Sequence, residues 1–335
     1  MSILVTGGTG FLGSHLVRYL VHEQGREDVV VYDKYLDLKR LGDVADRVTV
    51  IEGDTGDYNA LHGALKKHGV RQIAHLSSLL GNPTADQVIP YVQSVCGGFA
   101  NVMAAAMDAG AKRVVFASSV AAYGTRDTAF YTETEPTSEQ LMREEEEGVC
   151  HHPYGASKLW EEAMGFYANQ AFGMDFIALR FGSTFGLGRS ARGSYRSGLV
   201  GEPHVNHYMA RVEYAVRGEP IVMPRGAQVV DWTYASDAAQ AVWLALTVEN
   251  PKHRLFNVAG ERRPIADFTR KLQELLPDVS ITTDDNERIT AEHRFMDSTR
   301  LREDLGFKPR YTLETGLEDY VGRLREYIAA SEVPA

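Results

Sequence analysis

Cysteine is nearly absent: Cys96 and Cys150 are the only two in 335 residues, and their separation suits no metal site. That excludes a disulfide framework and points to reduced thiols in a cytoplasmic protein with no metal. Positive charge is also short, with 35 lysines and arginines against 45 acidic residues and a formal net charge of -10. No basic cluster offsets the deficit, so neither nucleic acid nor an anionic membrane surface is an expected partner. Long apolar runs are missing as well. None approaches membrane-spanning length, and the three apolar residues before the first glycine turn leave no room for a signal peptide. Internal repeats and low-complexity segments are absent apart from the run Glu144 to Glu147. With 44% hydrophobic residues the chain can bury a sizeable core, as one large domain or one domain carrying a smaller lobe.

What is present begins at once. Ile3, Leu4 and Val5 lead into Thr6-Gly7-Gly8-Thr9-Gly10-Phe11-Leu12-Gly13 and then a helical pattern, so the stretch reads as strand, glycine turn and helix. Gly7 permits the tight turn, Gly10 lets a pyrophosphate approach the backbone, and Gly13 lets helix and strand pack closely. The helix N-terminus offers free N–H groups and the positive end of its dipole to phosphates. A second strand, Val29 to Tyr32, ends at Asp33, twenty residues past Gly13. An acidic residue there holds adenosine ribose hydroxyls and repels a 2′-phosphate, which favours NAD over NADP. Lys34, Lys39 and Arg40 lie nearby as cations that would suit the phosphate instead.

From Ile3 to about Ser119 short β-branched runs alternate with helical segments, the pattern of an α/β parallel sheet covered on both faces. Further strands are expected at 48–51, 73–76 and 114–117. Ligands bind beyond the carboxyl ends of such strands. That rule selects Asp33, Asp54 and Thr55, Leu76 with Ser77 and Ser78, and Ser118 with Ser119. Asp54 reads either as an adenine acceptor or as a cap for a helix from Tyr58 to His68. The polar stretch from Thr125 to Gly148, including Glu144 to Glu147, reads as a solvated loop and helix.

The second informative stretch is His151-His152-Pro153-Tyr154-Gly155-Ala156-Ser157-Lys158, opening a helix that runs to about Phe172. Tyr154 and Lys158 are four apart, so a helix places them on one face with converging polar ends. A tyrosine hydroxyl ordinarily titrates near pH ~10, which makes it a poor base at neutrality. An adjacent ammonium and a cationic nicotinamide both favour the phenolate, and the roughly 4 kcal/mol required is within reach of two close charges in a dry cleft. A serine at the end of the fifth strand would hold the substrate oxygen beside Tyr154.

Another strand is expected at 177–180, after which periodicity weakens through a glycine- and arginine-rich stretch to about Pro203. That stretch carries Arg189, Arg192, Tyr195, Arg196, His204 and Asn206, side chains suited to a hydroxylated or anionic substrate. Two short strands follow at 221–226 and 229–234, then a helix from Ser236 that Asp237 would cap, a strand at 256–258, and helices from Ile265 and from about Leu313.

These motifs together resemble the extended short-chain dehydrogenase/reductase family, the group that contains NAD-dependent sugar epimerases and dehydratases. The resemblance rests on the Thr6–Gly13 loop, Asp33, Gly53-Asp54, Ala117-Ser118-Ser119 with Tyr123-Gly124, Tyr154 and Lys158, Leu179-Arg180-Phe181, and Asp297 to Phe307. It implies a doubly wound Rossmann-type sheet with a small C-terminal α/β substrate lobe, and a homodimer built on helices including the one that bears Tyr154. It also implies Ser119 as the catalytic hydroxyl, Tyr154 as the base and Lys158 as the ribose-binding partner. The expected division is 1–182 for the NAD-binding domain, with 229–258 returning to it, and 183–228 plus 259–335 for the substrate lobe. Phe181 joins the glycine loop, Asp33, Asp54, Thr55, Leu76, Ser77 and Ser118 in the cofactor set. Ser78, Tyr123, Ser183, Arg192, Arg225 and Trp232 form the substrate set.

Two departures from the family pattern narrow the expectation. Dehydratases of the family carry an Asp-Glu pair after the catalytic hydroxyl, where this chain has Val120 and Ala121, so dehydration is disfavoured. Nucleotide-sugar members carry an asparagine and an arginine where this chain has Ser183 and Val230, which removes charge-assisted hydrogen bonds worth about 1.5–3 kcal/mol each. Arg189, Arg192 or Arg225 would have to compensate. The expected activity is NAD-dependent removal of hydride from a secondary alcohol of a small sugar-like or hydroxy-acid substrate. The alternatives are an NAD-dependent nucleotide-sugar epimerase and, from another class, a non-catalytic NAD-sensing regulator.

Overall fold

The computed structural model describes residues 2–79, 83–124, 129–130, 141–148, 150, 152–189, 208–291 and 295–332. In chain order the first half runs β1 (Ser2–Thr6), α1 (Phe11–His22), β2 (Val29–Asp33), β3 (Thr49–Glu52), α2 (Tyr58–Lys67) and β4 (Val70–His75). Then come α3 (Val88–Val92), a π-turn at Gln93–Gly97, α4 (Gly98–Ala109), β5 (Arg113–Ser119), the short β6 (Ala129–Phe130), α5 (Pro153–Phe172) and β7 (Asp175–Phe181). The second half holds β8 (Thr184–Phe185), α6 (Arg211–Val216), β9 (Ile221–Met223), β10 (Val229–Tyr234), α7 (Ala235–Thr247) and β11 (Leu255–Val258). It closes with β12 (Glu261–Pro264), α8 (Ile265–Leu275), β13 (Ile281–Thr283), β14 (Thr290–Ala291), α9 (Thr299–Leu305) and α10 (Leu313–Glu332).

Strands dense in Val, Ile, Leu and Phe bury both faces in the middle of a sheet of seven, paired in the order β11-β7-β5-β4-β1-β2-β3, with the edge strand β3 half exposed. Every pairing in this sheet is parallel. One face packs Leu16, Val17 and Leu20 of α1 with Ala238 and Val242 of α7 against Val5, Val31 and Ile177. The other packs Leu61 of α2 and Phe99 and Val102 of α4 against Val30, Phe116 and Phe176. This is the Rossmann-type doubly wound arrangement. Its strand order reverses between β1 and β4, and a crevice for ligands opens beyond their carboxyl ends.

A second core gathers Trp232, Phe268, Leu317, Tyr320 and Val321 around a three-stranded sheet, β12-β10-β8. The stretch 229–258 divides between the two cores. Val229–Tyr234 lies in the small sheet with every residue buried, whereas α7 covers the large sheet and β11 forms its edge. Asp237 does not cap its own helix, which starts two residues earlier at Ala235. Its buried carboxylate accepts the backbone N–H groups of Arg310 and Tyr311 at 2.8 and 3.2 Å, and so ties the C-terminal segment to α7.

Two further expectations change. Val88–Ala109 forms a run of 22 helical residues with a mean hydropathy of 1.2, long and apolar enough to cross a membrane. No unbroken apolar run signals it, because Gln93, Asn101 and Asp108 interrupt the sequence, yet the average over a window still qualifies. In this fold Phe99, Val102, Met103 and Ala106 from that run are buried on the large sheet. The acidic run is not wholly solvated either: Glu144 is buried and accepts the Asn257 N–H at 2.9 Å, while Glu145 is exposed and pairs with Arg300.

Candidate active site

The crevice is lined first by the glycine turn. Gly7 has φ of +65°, and a Cβ there would stand 2.9 Å from the Ser77 backbone, so the residue is confined to glycine by conformation and by space. At Gly13 a Cβ would lie 2.0 Å from the Gly7 carbonyl oxygen, which is why α1 can seat directly on the turn. Gly10 precedes the helix in extended conformation, and Phe11 and Leu12 form its half-buried first turn. Asp33, at the end of β2, is fastened to the same turn. Thr9 donates its N–H and hydroxyl to Asp33 Oδ2 at 2.9 and 2.8 Å, and the Tyr35 N–H reaches Oδ1 at 3.2 Å. Leu76 and Ser77 close the other side, with the Leu76 N–H donating to the Thr6 carbonyl at 3.3 Å and Ser77 Oγ to Thr6 Oγ1 at 3.1 Å. Ser78 follows, exposed.

Asp54 is not the cap of α2. Its carboxylate pairs with Lys34 Nζ at 2.7 Å and accepts the Gly56 N–H at 2.8 Å, while Asp57 caps α2 by accepting the Ala60 N–H at 3.0 Å. Burial works against the Asp54 charge, but Lys34 and the Gly56 N–H outweigh it and hold the carboxyl below its ordinary range. Thr55 packs its hydroxyl against Gly98 of α4, where a Cβ would approach it to 2.7 Å. Of the nearby cations, Lys34 is engaged by Asp54, and Arg40 is buried beside Asp37 at 3.1 Å.

The second wall is the start of α5. Pro153 occupies the first helical position and His152 is the cap, its Nδ1 accepting the Gly155 N–H at 3.1 Å. Gly155 is required because a Cβ there would meet the Ala121 carbonyl oxygen at 2.4 Å. The helix therefore closes onto the turn Val120–Tyr123 that follows Ser119, which brings Tyr154 toward the end of β5. Ser119 Oγ accepts the Ala121 N–H at 3.1 Å and keeps its own hydrogen to donate elsewhere. Lys158 is fully buried, with Nζ 5.8 Å from the centre of the Tyr154 ring and 4.5 Å from that of Phe116. Its Nζ makes no hydrogen bond among the described residues, although Glu161 Oε2 lies 3.1 Å away.

Ser118, by contrast, is sealed in. Its hydroxyl donates to Glu162, whose carboxylate also receives Arg180 Nε and Nη2 at 2.9 and 2.7 Å. The Arg180 guanidinium sits 4.2 Å from the centre of the Tyr123 ring, and Tyr123 donates its hydroxyl to Asn257 Oδ1 at 2.8 Å. Ser118 and Tyr123 thus brace β5, β7 and α5, and the hydrogen of each hydroxyl is used inside the protein. Phe181 is buried in register with Ser119. Trp232 is also corrected: it stacks on Phe268 at 4.5 Å inside the second core and donates its indole N–H to the Arg263 carbonyl. Ser183 is half-buried and accepts the Thr233 N–H at 3.0 Å, and Arg225 donates to the Asp285 carbonyl at 3.3 Å. Arg189 lies over the Phe11 ring at 5.5 Å, whereas Arg192, Tyr195, Arg196, His204 and Asn206 fall outside the described residues.

Several residues here escaped the sequence reading. His75 shares a 2.8 Å hydrogen bond with Thr6 Oγ1, and burial, with Lys158 adding to it, holds its imidazole down at about 3. Arg262 stands opposite Asp231 across the strand pair and lies 3.2 Å from its carboxylate, so a guanidinium reaches Asp231 from β12 although Val230 precedes it. Burial pushes Asp231 up to about 7. Glu161 and Glu162 were legible in principle, since positions 154, 158, 161 and 162 share one helical face.

The chain matches the NAD dependent epimerase/dehydratase family over residues 3–259. It is 30% identical to a UDP-glucose 4-epimerase of Halalkalibacterium halodurans over 258 residues, 73% of this chain and 70% of that one. A UDP-glucose 4-epimerase of Lacticaseibacillus casei is 27% identical over 93% of this chain and 92% of its own. Among solved structures, a UDP-glucose 4-epimerase of Thermotoga maritima with UDP-glucose superposes with a TM-score of 0.77 at 24% identity, covering 98% of this chain and 100% of that one, a likeness of fold. The glycine cradle, the anchored Asp33 carboxylate and the buried Lys158 ammonium, without a hydrogen-bond partner among the described residues, fit NAD, the family's cofactor. This protein is an enzyme of the extended short-chain dehydrogenase/reductase type and belongs to the NAD dependent epimerase/dehydratase family.

Proposed function

We propose that the protein oxidises a secondary alcohol of a small sugar-like or hydroxy-acid substrate, with Tyr154 as the base. The observation that carries this reading is the seating of α5 on the Val120–Tyr123 turn, which gathers Ser119, Tyr154 and the Lys158 ammonium at the crevice. The Ser119 hydroxyl donates to the substrate oxygen and orients it, its hydrogen remaining available while one lone pair accepts the Ala121 N–H. Tyr154 takes the hydroxyl proton, and the Lys158 ammonium favours the phenolate while holding the nicotinamide ribose. Asp33 holds the adenosine ribose, and the first turn of α1 faces the pyrophosphate. When bound, NAD supplies the hydride acceptor. Residues 1–182 with α7 and β11 form the cofactor domain on this reading, and the second core with its sheet β12-β10-β8 forms the substrate lobe.

The test is NADH absorbance with a panel of sugars, sugar acids, hydroxy amino acids and nucleotide sugars. One NADH per product is expected, and Tyr154→Phe should lower the rate by about 10²–10⁴-fold with NAD still bound. Unchanged activity in that variant would replace the enzyme reading with an NAD sensor. A second reading is favoured by the UDP-glucose 4-epimerase relatives and by the Arg262 guanidinium, which pairs with Asp231 where a diphosphate would need a cation. There the ketone is retained and reduced on its other face, so isomer forms with no net NADH.

The chain also presents an apolar stripe on α5, where Trp160, Met164 and Tyr167 are exposed, beside Ile89 and Val92 of α3. A second copy packed on this stripe would make a homodimer, and light scattering should return twice the chain mass of 37.1 kDa.

A further inference from the structure

Glu161 is fully buried, and apart from the Lys158 ammonium its carboxylate oxygens meet no hydrogen-bond donor among the described residues. Among the described residues its close opposite charge is the equally buried Lys158 Nζ at 3.1 Å. The other titratable groups around it offer no cation. On α5 the Glu162 charge is already engaged by Arg180, and Tyr154 brings no positive charge. From α3 comes Tyr91, which burial keeps protonated, and from the π-turn Cys96, which burial pushes up to about 11. His75 on β4, held at about 3, is uncharged at neutrality. Burial raises Glu161 itself to about 7, with Lys158 opposing the rise. A buried carboxylate without hydrogen bonds stays ionised only while a cation remains beside it.

We infer that Glu161 is the internal counter-ion of Lys158 in the cofactor-free enzyme, and that it takes up a proton when NAD engages the Lys158 ammonium. The inference rests on the reading that Lys158 holds the cofactor ribose. Drawing the ammonium toward ribose hydroxyls weakens the attraction that keeps Glu161 charged, and protonation removes the bare charge. The proton comes from solvent, and no covalent bond to carbon changes. The sign follows from linkage: a reaction that takes up protons is weakened as pH rises, so NAD affinity should fall across neutrality by up to about tenfold per pH unit.

Calorimetry of NAD binding at pH 7 in two buffers of different ionisation enthalpy measures the proton count directly. About half a proton per NAD is expected for the native enzyme. Glu161→Gln should bind NAD with no uptake and an affinity flat between pH 6 and 8. Equal uptake in Glu161→Gln, or none in the native enzyme, overturns the inference. Lys158→Met tests the underlying reading separately, since undiminished NAD affinity in that variant would remove Lys158 from the ribose site. Should Glu161→Gln fail to fold, infrared difference spectra decide instead. A protonated-carboxyl stretch should appear when NAD binds the native enzyme and stand already present in Lys158→Met before NAD is added. Absence of the band in both overturns the proposal.

Discussion

The two flanks of α5 solve the same problem in opposite ways. Toward β7, Glu162 is buried with a bidentate Arg180 and the Ser118 hydroxyl, a pair whose lone pairs and protons are almost all used. Toward the π-turn, its neighbour Glu161 is buried with an ammonium at 3.1 Å and no hydrogen bond among the described residues. Desolvation costs both carboxylates about equally, so the difference lies in geometry. A planar fork fixes Glu162 as a strut between sheet and helix. A flexible lysine leaves Glu161 poised between its charged and neutral forms. The first flank is built to stay, and the second is built to respond.

The comparison breaks most strongly at Arg180. Replacing it by methionine strands Glu162 and should cost about 3–5 kcal/mol in denaturant unfolding, whereas Lys158→Met, which lets Glu161 protonate, should cost far less at pH 6. Next, Glu161→Gln should change stability by no more than about 1 kcal/mol, while Glu162→Gln, which leaves the Arg180 charge uncompensated, should cost several times that. The pH dependence of stability sharpens the contrast. A carboxyl raised to about 7 contributes its stability below the ordinary carboxylate range and loses it as pH rises through 7, so melting temperature should fall between pH 5.5 and 7.5 in the native protein and less so in Glu161→Gln. His75 acts in the other direction. Held at about 3 against an ordinary 6.5, it contributes stability above 6.5 that is lost as pH falls toward 3, and His75→Gln should flatten that acid limb. These two effects are read as shifts in melting temperature, about 2 °C for each kcal/mol in a chain of this length.

Much of the large sheet was readable because each of its strands is a short β-branched run closed by glycine or charge, and both faces of such a strand must be apolar. The glycine loop was readable because positive φ and close approach admit no other residue at Gly7 and Gly13. Trp232 and Tyr123 misled because an aromatic beside a polar motif looks the same whether it lines a pocket or fills a core. As caps, Asp54 and Asp237 misled for a related reason: a carboxylate near a helix start suggests a local partner, and theirs came instead from Lys34, in the loop after β2, and from the backbone at 310–311. The division of 229–258 between two cores was hidden because β10 and β11 are equally apolar, and periodicity does not say which sheet a strand joins.

The sequence by itself determined the strand–turn–helix at the N-terminus, the acid at the end of β2, and the shared helical face of Tyr154 and Lys158. Each of these depends on spacings of a few residues along one element. Only the tertiary structure decided which buried charges are satisfied, because those partners are separated by tens to hundreds of residues. Lys158 met Glu161 within one helix, but that pair became consequential only when α3, the π-turn and β4 closed over it and excluded water.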